Sequence, residues 1–160
     1  PPSKDIMKKK PISPNKGMFA DGLALQIIVE GILIGSLALF AFVIGVKYYD
    51  ITGLQDTRAI TPWVGRTMAF SVLSLSQLFH SFNMRSHRSL SEIGIFTNRK
   101  LVMSFIICTL MQISVVSISP LAKVFQVVPL NLRQWAIVFI LSMAPIVVVE
   151  FQKKINNRRT

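Results

Sequence analysis

Apolar positions in this chain fall into four long runs, separated by shorter stretches rich in charge, proline and small polar residues. The runs cover residues 23–46, 67–84, 101–119 and 134–149. Each is close to the roughly 17–25 residues that an α-helix needs to cross a bilayer. Glu30 is the only formally charged residue inside any of them. The fourth run is short, and is expected to borrow Phe151 or to tilt less than its neighbours. The pattern predicts an all-α membrane protein, an up-and-down bundle of four transmembrane helices spanning residues 21–152. A basic, proline-containing arm (1–20) precedes it and a basic tail (153–160) follows.

Local signals place the helix ends. Asp21 is suited to cap the first helix, and Thr61 followed by Pro62 has the cap-then-proline order of a helix start. The second helix should therefore begin before Trp63, leaving the indole at the membrane interface. Asn98 is placed to cap the third helix, and Pro120 to end it. Asn131 and Gln134 form an Asn-x-x-Gln box for the fourth, which Pro145 should kink. Gly31 and Gly35 in the first run make a small-xxx-small pattern that suits close helix contact.

Charge refines this picture. The formal net charge is +11, with 18 Lys and Arg against 7 Asp and Glu. If the termini and the loop 85–100 lie inside, 13 of the 18 basic residues lie inside with them. That bias predicts two cytoplasmic termini in a multi-pass membrane protein; the plasma membrane is the expected location. Nucleic acid would require basic residues gathered on one folded face, so it is excluded as a partner. Lys8, Lys9 and Lys10 suit anionic lipid headgroups, making the bilayer itself a partner. The first run is too long for the apolar core of a signal peptide. The opening Pro1-Pro2, without Met, predicts a truncated product or a cut-out domain. Cys108 has no second cysteine to pair with, and its mid-span position predicts an inert, buried thiol.

The second run holds the candidate chemistry. It carries Ser71, Ser74, Ser76, Gln77, His80 and Ser81, more hydrogen-bonding groups than a lipid-facing helix can hold. Ser74, Gln77 and Ser81 are three and four residues apart and share a helix face. They can serve helix packing, or Gln77 can offer its carbonyl oxygen to a hard cation such as calcium. One amide cannot make a site, so helices outside this chain would have to complete it. Glu30 is a default functional candidate as an intramembrane carboxylate. It can equally snorkel to the interface or bond Gln26 one turn away. His80 is expected to hydrogen-bond within the bundle. Two histidines without cysteine or acidic companions make no zinc site, and Ser81 beside His80 lacks the acid of a hydrolase triad. Ser104, Cys108 and Gln112 repeat every four residues as a polar seam, expected to pack against a neighbouring helix.

The wording of residues 66–86, RTMAFSVLSLSQLFHSFNMRS, resembles the eighth transmembrane helix of P-type calcium-transporting ATPases. MFADGLALQIIVEGILIG (18–35) looks like the seventh helix of bacterial members. Residues 89–98 resemble the inner loop, and PLNLRQW with PIVVVEFQKK resembles the two ends of the tenth helix. The resemblance implies the seventh to tenth helices of an ion pump. Calcium would be the transported ion, and ATP and magnesium would act only through domains absent from this chain. Its partner would be the remaining N-terminal part of the pump. Gln77 stands at the position of the family's one ligand on this helix. Two-site calcium pumps carry a carboxylate there, so Gln77 resembles pumps that move one calcium per cycle. The Asp-Lys-Thr-Gly-Thr phosphorylation motif of the family does not occur in this sequence, so the chain has no catalytic residues of its own. The alternative is a self-contained four-helix membrane protein, such as a small dimeric multidrug exporter or a scaffold.

Overall fold

A computed structural model describes residues 23–50, 62–84 and 94–157. Four long helices dominate: α1 (Leu23–Gly45), α2 (Trp63–Asn83), α3 (Arg99–Ser117) and, after the short α4 (Ser119–Phe125), α5 (Leu132–Asn157). Among the described residues there is no strand. The protein is an all-α membrane protein. Segments 24–50, 99–117 and 132–151 are long and apolar enough to cross a bilayer. The fourth long helix, α2, has 21 residues and so reaches about 31 Å, enough for the hydrocarbon core. It is less apolar than the others because serine, threonine, glutamine and histidine interrupt it.

That polarity follows from its place. α2 is the central helix, packed against α1, α3 and α5. Met68, Val72 and Leu75 on α2 meet Ala41 of α1 and Val138 of α5 in the main apolar cluster. Spacings of three and four put these side chains on one stripe. Hydrocarbon offers no hydrophobic force to bring helices together, so close van der Waals fit must do it. α1 and α2 meet at glycines: a Cβ on Gly45 would lie 2.7 Å from the Gly65 nitrogen, and one on Gly65 would lie 2.8 Å from the Phe42 carbonyl oxygen. α3 is held more loosely, with Gln112 and Val116 its only buried residues. Phe105 anchors it, its ring centroid 5.0 Å from that of Phe79 and 5.3 Å from that of Phe82.

Several predicted helix ends are present. The Asn98 side chain accepts from the Leu101 amide at 3.2 Å. Asn131 and Gln134 exchange bonds at the start of α5: the Gln134 amide donates to Asn131 Oδ1 (2.9 Å) and the Asn131 amide to Gln134 Oε1 (2.7 Å). Other expectations need correction. α2 starts at Trp63 with Pro62 in the cap position and no cap from that residue. Its first amides are held instead by Asp50, in a π-helical turn (Val46–Asp50) that continues α1. Asp50 Oδ1 accepts from Val64 N at 3.0 Å and Oδ2 from Gly65 N at 2.9 Å. A carboxylate at a helix N-terminus also complements the positive end of its dipole. Pro120 does not end α3, which already stops at Ser117; it sits in the first turn of α4, where its missing N–H costs nothing. α5 runs to Asn157, well past the apolar run that announces it. Pro145 lies inside it, fully buried, and its carbonyl accepts from Asn83 Nδ2 at 3.2 Å.

Gly31 and Gly35 do not mediate contact among the described helices: a Cβ on either would meet nothing within 4 Å. Ser104 and Cys108 are exposed as well, so only Gln112 of the expected α3 seam packs inward and the thiol is not buried. The proposed cap Asp21, Thr61, the arm 1–20 and most of the loop 85–100 lie outside the described residues.

Candidate functional site

α2 has two unlike sides. On the packed side, Thr67, Ser71 and Ser76 are fully buried among apolar neighbours. Thr67 Oγ1 does double duty there, donating to the Trp63 carbonyl (2.8 Å) and accepting from Val128 N (3.0 Å). It thereby ties the segment after α4 to the first turn of α2. The Ser71 and Ser76 hydroxyls find no partner in the structure.

The other side is open. Arg66, Leu73, Gln77 and Met84 are exposed at helical spacing, with Ser74 and Ser81 half-buried beside them. The three polar residues predicted to share a face therefore do share one, and it faces away from the other described helices. Ser81 donates its hydroxyl to the Leu78 carbonyl at 2.7 Å, a local bond that keeps it on the helix. Gln77 makes no such bond, and its amide projects freely near the middle of the helix. A free amide facing hydrocarbon is costly, so this face suits a protein or aqueous neighbour better than lipid. At the Asp50 end, the Arg66 guanidinium lies over the Trp63 ring, 5.3 Å from its centroid.

Glu30 and His80 are brought together. Glu30 Oε1 accepts from Gln26 Nε2 at 2.8 Å, the intrahelical bond anticipated from spacing. Its other oxygen, Oε2, lies 3.0 Å from His80 Nε2 across the α1–α2 interface, with both side chains largely shielded. His80 Nδ1 is buried without a partner. The cross-helix pairing escapes a residue-by-residue reading. Its signal was the hairpin: antiparallel helices bring the second turn of α1 beside the last turn of α2.

No group of three His, Cys, Asp or Glu side chains converges to hold a metal ion among the described residues. The sequence-level reading also missed Asp50, whose clamp on α2 joins residues far apart in the chain, and Asn83, which reaches the α5 backbone at Pro145.

Comparison with known proteins places these features. Residues 1–155 match the family described as "Cation transporting ATPase, C-terminus". The chain is 43% identical to calcium-transporting ATPase 1 of Bacillus cereus, over 96% of this chain and 18% of that protein. It is 31% identical to the calcium-transporting ATPase of Bacillus subtilis, over 90% of this chain and 15% of that protein. Calcium-transporting ATPase type 2C member 1 of Homo sapiens is 28% identical over 99% of this chain and 16% of its own length. The chain thus spans less than a fifth of the relatives it matches.

Proposed function

The chain belongs to the cation-transporting ATPase C-terminus family, and on that premise we propose that it is the carboxy-terminal membrane part of an ATP-driven calcium pump. The observation that carries the reading is Gln77, an unbonded amide on the open face of the most polar helix. Calcium takes about six to eight oxygen ligands and accepts neutral carbonyls among carboxylates. Gln77 would supply one such oxygen, with Ser74 and Ser81 flanking it. The remaining ligands would come from transport helices elsewhere in the pump, packed on this face. ATP and magnesium act through the pump's other domains. Calcium is the named cargo of the similar proteins, which supports this ion over other cations. In this reading the pump lies in the plasma membrane with both ends of the chain cytoplasmic, and the basic arm and tail rest near lipid headgroups.

The test is the calcium dependence of ATPase activity in the full-length pump. Gln77→Leu keeps similar bulk and removes the oxygen. Losing one such contact costs roughly 1.5–3 kcal/mol, about ten- to a hundredfold in calcium affinity. Ser74→Ala should change affinity far less. An unaltered calcium dependence in Gln77→Leu would reduce Gln77 to a packing residue.

A further inference from the structure

We propose that the connection between α3 and α5 lies in the membrane rather than over it, with α4 embedded among phospholipids at the face where Trp63 stands. The inference is independent of the ion carried and of which face is outside. Residues 118–130, ISPLAKVFQVVPL, are apolar almost throughout, and Lys123 is their one charge. A connection ordinarily runs over the protein surface, where water satisfies its backbone. This one satisfies its backbone internally. The Ile118 amide donates to the Ser114 carbonyl and the Ala122 amide to the Ile118 carbonyl, each at 2.9 Å. Gln126 N donates to the Lys123 carbonyl at 3.2 Å and Val127 N to the Ala122 carbonyl at 2.9 Å. Val128 N reaches Thr67 Oγ1 at 3.0 Å, and Pro120 and Pro129 have no amide hydrogen to place. Such self-sufficiency is what hydrocarbon demands of a backbone.

Two measures set the depth. Thr67, which holds Val128, lies four residues into the bundle from Trp63, about 6 Å along α2. Independently, Phe105 of α3 packs on Phe79 of α2 with ring centroids 5.0 Å apart. Twelve residues onward α3 ends at Ser117, and twelve residues back from Phe79 is Thr67 again; each path rises about 18 Å, so the two positions are level. α4 therefore starts about a turn below the interfacial indole, and Phe125 at its far end still meets Phe70, ring centroids 6.4 Å apart. At about 100° per residue the side chains of α4 divide around its axis. Ala122 is buried against the bundle, whereas Leu121, Val124 and Phe125 share an exposed face, Val124 at 76% exposure. Ser119 and Lys123 lie roughly opposite that face. This is the composition of a helix lying in the interface, its apolar face about 5–10 Å into the headgroup–acyl boundary. From there the Lys123 stem can extend its ammonium to lipid phosphates. The exposed Ile106, Ile107 and Leu110 of α3, in the span 99–117, make the apolar surface continuous up to this point, which favours lipid over a protein partner.

The experiment uses the full-length protein, its native cysteines replaced by serine, in vesicles of phosphatidylcholine and phosphatidylglycerol. Leu121→Cys, Lys123→Cys and Val124→Cys each carry a nitroxide spin label; all three positions are exposed, so the substitutions remove no packing among the described helices. Collision with oxygen, which concentrates in hydrocarbon, is compared with collision with a water-soluble nickel chelate, and the ratio is converted to depth against spin-labelled lipids. Labels at 121 and 124 should read about 5–10 Å below the phosphates, and the label at 123 at the phosphates or in water. Nickel collisions outweighing oxygen collisions at 121 and 124 would put the connection in water and overturn the proposal. Exclusion of both reagents there would mean that protein covers the face, and would overturn lipid as its occupant. Equal depths at 123 and 124 would overturn the orientation assigned to α4.

Discussion

Gly45 and Gly65 fix how closely the first two helices approach. A Cβ on Gly65 would sit 2.6 Å from Val46 Cγ2 and 2.8 Å from the Phe42 carbonyl oxygen. The obstacle at Gly45 is backbone, which cannot rotate away. Gly45→Ala should therefore push α1 off α2 and cost about 1–3 kcal/mol, read as a lower thermal unfolding midpoint of the purified protein. Gly31→Ala, whose Cβ would meet nothing within 4 Å among the described residues, should not lower that midpoint. The contrast explains what residue-level reading can reach. Gly31-x-x-x-Gly35 is visible because both glycines lie on one helix. The working pair lies on two helices, one glycine each, and no spacing rule links them. Cys108 misled for a related reason: depth in the membrane is legible from position along a helix, whereas the direction the helix faces is not. Gln77 was legible because an amide amid an apolar run is conspicuous whatever it touches.

Helix ends divide along the same line. The Asn98 cap and the Asn131–Gln134 box complete themselves within three residues, and the order of residue types announces them. Asp50 caps α2 from 14 and 15 residues away, a separation that no short pattern encodes. Pro120 was recognised as a break, but a proline that closes one helix and a proline that opens the next look alike in sequence. The reciprocal box is open to direct test. Asn131→Ala frees the Gln134 amide and should lower stability by about 1 kcal/mol. Hydrogen exchange at the first amides of α5 should quicken.

At the scale of the molecule, four long helices alternate in direction, so residues 98 and 123 are expected on opposite sides of the membrane. With Cys108→Ser as background, cysteines introduced at Asn98 and at Lys123 should label with a water-soluble reagent from opposite sides of sealed vesicles. Labelling of both from one side would break the four-span arrangement. The unequal polarity of α1 and α2 reaches back further, to synthesis. α1 is strongly apolar apart from Gln26 and Glu30 near its start, and can leave a translocation channel for lipid more readily. α2 carries Ser71, Ser74, Ser76, Gln77, His80 and Ser81, and pays heavily to do the same alone. The Asp50 clamp and the glycine contact bind the two at the end joined by their loop, and Glu30 meets His80 at the other. The nascent chain thus delivers them as one hairpin, with α1 acting as the built-in escort that carries its polar neighbour into the bilayer.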